Sequence, residues 1–151
     1  MKKFKLTSEF IVDISGVKLF RIKALIEFGN VKAGDLGGYI EKEKNLSHMG
    51  NAWVSGNAQV FGNARVSGDA QVFGDARVSG DKDYAYAHGF GSCNRTTTFF
   101  RLKDGDVGVR CGCFYGTLAQ FRDNVCETHG ETKKAQEYLM LADLMDFRFK
   151  N

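Results

Sequence analysis

Cys111, Cys113, Cys126 and His129 are the residues of this 151-residue chain whose types and spacing best fit chemistry. Cys111 and Cys113 stand two apart on a β-rich run, so both side chains leave one face of a strand. Cys126 and His129 stand three apart at the end of the helix that follows. The apolar stripe of that helix, Leu118, Phe121 and Val125, reaches His129 when extended by one turn. Three thiolates and one imidazole would close a zinc site with no open position, which makes a structural staple and no catalytic centre. Cys93 and His88 are alternatives to Cys126 in that set. Val107 and Val109 share the strand face of Cys111 and Cys113, so the competing reading makes both thiols small core residues. Neither His48 nor His88 has an acid partner at a fixed spacing. Gly89-Phe90-Gly91 lacks the third glycine or lysine that a phosphate loop needs. The expectation is therefore a non-enzyme with a structural zinc and no catalytic or cofactor-binding residue.

The elements that position these residues begin with a repeat. From Asn51 to Gly80 the unit Asn/Asp-Ala-x-Val-x-Gly recurs five times. Ala52, Ala58, Ala64, Ala70 and Ala76 each stand two places before a valine, at 54, 60, 66, 72 and 78, so every hexad offers two inward side chains. Glycine and Asn/Asp suit the corners, and three hexads complete one triangular coil of a parallel β-helix. The phase runs back through Asn45-Leu46 to Tyr39-Ile40. Before it, Phe10, Val12 and Ile14, the turn Ser15-Gly16, and Val17 to Ile22 predict a hairpin that covers one end. A short solenoid needs such a cap because its terminal strands expose unpaired backbone.

After Thr96 the pattern changes. Runs from Thr97 to Leu102 and from Asp106 to Phe114 flank the turn Lys103-Asp104-Gly105. Thr117 opens a helix that Gly130 ends. A second helix, from about Thr132 to Phe149, carries Ala135, Leu139, Ala142, Met145 and Phe149 on one face. The division read from these signals is 1–33 as a β cap, 34–90 as the β-helix and 91–151 as a ββαα unit. At that size the last unit needs a staple or a partner.

The outward residues of the coil are the candidate partner surface: Trp53, Phe61 and Phe73 as aromatics, with Arg65 and Arg77 beside them. Their alternative is cover by the C-terminal helices. Asp69, Asp75, Asp81 and Asp83 lie among those arginines, and a net charge of +3 is small, so nucleic acid is not the expected partner. Hydrophobic residues make up 43% of the chain, enough for a folded core. Polar Thr7, Ser8 and Glu9 stand where a signal peptide would carry its apolar run, and no stretch approaches a membrane span. This predicts a cytoplasmic protein with reduced thiols.

The hexads resemble the left-handed β-helix of the hexapeptide-repeat superfamily over residues 34–86. That resemblance implies a left-handed coil, and it raises trimeric acyltransferases as an alternative, with His48 or His88 as the base. The stretches Gly34 to Ile40 through Asn45-Leu46 to Val54, and Thr96 to Phe100 through Cys111-Gly-Cys-Phe114 to Gly130, resemble bacteriophage and prophage proteins. The implied function is non-catalytic occupation of a host protein in the host cytoplasm, in its concrete form a counter-defence inhibitor of a CRISPR nuclease. Self-assembly into a homo-oligomer is the alternative.

Overall fold

The computed structural model describes residues 2–91, 95–112 and 114–150. The protein is mainly β, with two helices at its C-terminal end. Strands β1 (Phe4–Val12) and β2 (Lys18–Ala24) form the expected hairpin, with Phe10 opposite Phe20 and Ile11 opposite Leu19. Its turn is tied by Asp13, whose Oδ1 accepts from the backbone N–H groups of Ser15 and Val17 at 2.9 Å.

The repeat forms two-residue strands that pair in parallel. Strand β3 (Leu36–Ile40) pairs with β5 (Gln59–Val60), and β5 pairs with β7 (Arg77–Val78). On a second side, β4 (Trp53–Val54) pairs with β6 (Gln71–Val72). Trp53 lies beside Gln71 and Gln59 beside Arg77, the one-coil spacing of three hexads. Tyr39 beside Gln59 and Leu46 beside Val66 are two residues further apart. The two extra residues are taken up between Leu46 and Trp53, just after a short 3-10 turn at Glu43–Asn45. The fully buried Asn45 side chain holds the turn, donating to Ala64 O at 2.8 Å and accepting from Lys42 N at 2.9 Å. All five alanines and all five valines of the hexads are buried.

Both ends of the stack are closed by other elements. β2 pairs antiparallel with β3, and Phe4, Ile22, Ala24 and Phe28 enter the same apolar interior as the repeat valines. At this end Lys3 is only 1% exposed. Its Nζ donates to Ala52 O at 2.6 Å and lies 4.6 Å from the Phe28 ring centroid. Burial pulls this ammonium down to about 8. Because the folded value is depressed, the unfolded chain holds more protons between there and the ordinary lysine range, so this group adds stability as pH rises through that window. Unfolding of the wild type should therefore become harder by about 2 kcal/mol between pH 7.5 and 9.5, relative to Lys3→Met. Parallel denaturant titrations at the two pH values measure that difference.

The other end meets a four-stranded antiparallel sheet, ordered β11-β10-β9-β8. Its strands are β8 (Tyr84–Phe90), β9 (Arg95–Arg101), β10 (Val107–Cys111) and β11 (Phe114–Thr117). Phe100 points into the solenoid interior, while its neighbour Phe99 points to the helices. The last coil's backbone is satisfied across this junction: Gln71 N donates to Thr98 Oγ1 at 2.9 Å and Lys103 N to Asp75 O at 3.1 Å. The ββαα succession read from the sequence is thus extended by a strand on each side. Tyr84–Phe90 joins the sheet, with Tyr84 in the solenoid interior and Phe90 packed towards the helices. The run from 106 to 114 breaks at Gly112, φ +58°, into two strands.

Helix α1 (Leu118–His129) opens on a capping box in which Thr117 Oγ1 accepts from Gln120 N and Gln120 Oε1 accepts from Thr117 N. It ends at Gly130, as expected. Helix α2 (Lys133–Phe149) starts after its cap Thr132. Its buried face is Ala135, Tyr138, Ala142, Met145 and Phe149, with Tyr138 taking the central place and Leu139 half-buried beside it.

Candidate functional site

Between the sheet and the helices lies a cleft of about 450 Å³, lined by Cys111, Arg95, Phe121, Asn124, His129 and Tyr138 among others. Strand β10 aims Cys111 at α2, and α1 carries His129 to the cleft on its last turn. Cys111 Sγ accepts from Thr97 Oγ1 at 3.3 Å and lies 3.7 Å from Tyr138 Oη. Burial, and then the adjacent Cys111 thiol, hold the Tyr138 phenol above its usual range. Tyr138 is therefore a neutral hydroxyl across the working pH range, able to donate or accept but not to carry charge. The His129 ring lies 5.7 Å from that of Tyr138.

Two of the four expected zinc ligands thus share one cleft. Cys126 is exposed on α1 and is not among the cleft residues. Cys113 and the alternative Cys93 lie outside the described residues. Among the described residues, no group of three His, Cys, Asp or Glu side chains is placed to hold a metal ion.

The expected partner surface on the coil is largely covered from within. Trp53 is buried with its ring edge against Phe28, centroids 5.2 Å apart. Phe73 is half-buried under the edge of Tyr115, 4.9 Å away, and under the Arg110 guanidinium at 4.3 Å. The cover comes from β10 and β11, where the sequence had suggested the helices. Phe61 lies beneath the Arg77 guanidinium at 4.7 Å, and Arg77 is paired with Asp13 at 3.1 Å. Arg65 is exposed. The two coil-side histidines also have structural partners. His48 stacks on Phe4 at 4.2 Å and accepts from Lys3 N, with Glu43 at its other nitrogen. His88 Nδ1 lies 2.7 Å from Thr96 Oγ1.

Exposed apolar side chains lie elsewhere, at the tip of the first hairpin as Phe10, Val12 and Ile14, and on α2. Met140, Leu144 and Phe147 on α2 are 69%, 55% and 79% exposed. Their spacing of four and three residues puts them on one face of the helix, opposite the buried one. Their signal was present in the sequence, since a helix apolar on a second face has more to cover than one core can take. It is masked because the hexad aromatics give the stronger outward signal in the sequence.

Fold and surfaces together define a β-solenoid-type repeat closed by a sheet-and-helix unit. Residues 58–72 and 70–81 match the family model of the YdcK β-solenoid repeat. No curated protein matches the chain. Among the described residues, no helix is long and apolar enough to cross a membrane.

Proposed function

We propose that this chain is a non-catalytic binding protein of phage or mobile-element origin, in which a short left-handed hexapeptide-type β-helix serves as a rigid base and α2 presents the contact. The observation that carries this reading is the outward stripe Met140, Leu144 and Phe147. An apolar stripe on an ordered helix is the anchor pattern of helix-in-groove recognition. Exposed Asp146 lies on the same stretch of helix, beside Asp143 in its pair with Arg122, and it suits a basic host surface such as the nucleic-acid groove of a defence nuclease. The phage part rests on the sequence resemblance, and the inhibitor acts, on this proposal, in the host cytoplasm. DNA cleavage by purified CRISPR nucleases tests the concrete form. The protein should inhibit one of them, and Phe147→Asp should raise the concentration needed by at least about tenfold, as loss of a hot-spot anchor does. Undiminished cleavage across the panel would overturn the nuclease form.

A structural zinc in the C-terminal unit is a second proposal, favoured by the shared cleft of Cys111 and His129. Plasma mass spectrometry should then find about one zinc per chain, lost in Cys111→Ser and in His129→Ala together with thermal stability. A metal-free, folded protein would make Cys111 a core thiol held by Thr97 and Tyr138.

A further inference from the structure

On the solenoid side of the sheet, Arg110 covers Phe73 with its guanidinium and has no counter-charge among the described residues. Arg21, Arg77, Arg101 and Arg122 are each paired with a carboxylate, and Arg148 donates to the backbone carbonyls of Asp81 and Tyr84. Arg110 has no carboxylate at ion-pair distance among the described residues, and its Nε is buried without a hydrogen-bond partner. A buried donor left unmade is costly, and in native structures such a group is completed by an ordered water or by a bound ion. Strand pairing fixes the residue in place: Arg110 lies opposite Thr98 on β9, and its guanidinium stands over the Phe73 ring, 4.3 Å from the centroid.

The same residue lines two adjoining clefts of about 310 and 500 Å³, which also share Asn30, Asn51 and Gln71. These volumes fall in the range of small-molecule sites. The larger cleft also holds Arg95 and His88, with Asp69 as the acidic residue on its wall. The smaller one holds Asp35 and is bounded by Trp53. Guanidinium groups bind planar or tetrahedral oxyanions through two parallel N–H bonds, and side-chain amides complement a polar body beside them.

From this geometry we infer that the groove between the coil face of β4 and β6 and the inner strand β10 of the four-stranded sheet is a binding site for a small organic oxyanion, a phosphate or carboxylate group resting on Arg110. The site does not depend on the α2 surface. Phosphate and carboxylate share the recognition chemistry, and the experiment separates them.

Trp53 is the chain's single tryptophan and lines the groove, so it reports occupancy directly. The full-length protein is titrated with inorganic phosphate and, separately, with citrate, at constant ionic strength balanced by chloride. Tryptophan fluorescence and melting temperature are both read. A saturable fluorescence change with a rise in melting temperature is expected for at least one anion. A response to phosphate alone assigns a phosphorylated ligand, and one to citrate alone assigns a carboxylic acid. Arg110→Gln should weaken the response at least about tenfold. Arg110→Lys, which keeps the charge and the stem over Phe73, should weaken it less while melting as wild type does. Absence of saturation with both anions in both readouts overturns the site, as does an unchanged response in a folded Arg110→Gln protein.

Discussion

Replacing Gly62 with alanine will destabilise the protein by about 2–4 kcal/mol, among the largest effects of any single methyl group in this chain. Gly62 turns a corner of the coil at φ +65°, where an L side chain is strained. A Cβ built there would stand 2.6 Å from the backbone oxygen of Ser79 in the next coil. The obstacle is main chain held by the stacking ladder, in which Phe61 N donates to Val78 O at 3.0 Å, so it cannot swing aside as a side-chain tip does. Gly80 supplies the control. Its backbone is extended at φ −160°, and a Cβ there meets nothing within 4 Å. Gly80→Ala should change stability by no more than about 0.5 kcal/mol. Chemical denaturation of the two variants beside wild type measures both. Equal effects would show that the corner stacking is not what holds the coil.

Phe100→Ala should cost about 3–5 kcal/mol, the range for deleting a buried aromatic ring. Phe100 belongs to the C-terminal sheet by sequence but to the solenoid by packing, where it is fully buried. Gly108 on the neighbouring strand makes its space, since a Cβ there would stand 2.6 Å from the Phe100 ring. The ring therefore plugs the open end of the coil in the way that Phe4 and Ile22 close the other. A loss at this point should reach both halves. Trp53 fluorescence reports the coil and far-ultraviolet circular dichroism at the helix band reports α1 and α2. The two transitions should move together in Phe100→Ala. A shift in one probe alone would show that coil and cap fold independently.

Much of this was legible because the hexad is a strong local code. Alanine and valine at fixed positions dictate which side chains enter the coil, and the backward phase through Leu46 to Ile40 holds because those residues are apolar at the same inward position. Thr117, Gly130 and Thr132 marked the helix ends because capping is decided by residues within one turn. What resisted reading was long-range. The 84–90 stretch is divided between two interiors, so its alternation serves neither alone, and its neighbours on the coil gave no hint of a sheet partner. The aromatics on the coil looked outward by period. Whether they met solvent depended on where β10 and β11 came to rest, which no local spacing encodes. Tyr138 and Arg110 carry no local signal for the same reason: each gains its meaning from a residue more than 25 positions away, Cys111 in one case and Phe73 in the other.

The reading of α2 as a contact surface for a host protein is tested most directly by the molar mass of the chain, alone and mixed with purified defence nucleases, by size exclusion with light scattering. The chain should be a monomer alone and form a heterocomplex with one nuclease that Phe147→Asp and Leu144→Asp each abolish, both variants remaining folded. A stable homo-oligomer that the same substitutions disperse would contradict it, because the stripe would then serve a second copy of this chain.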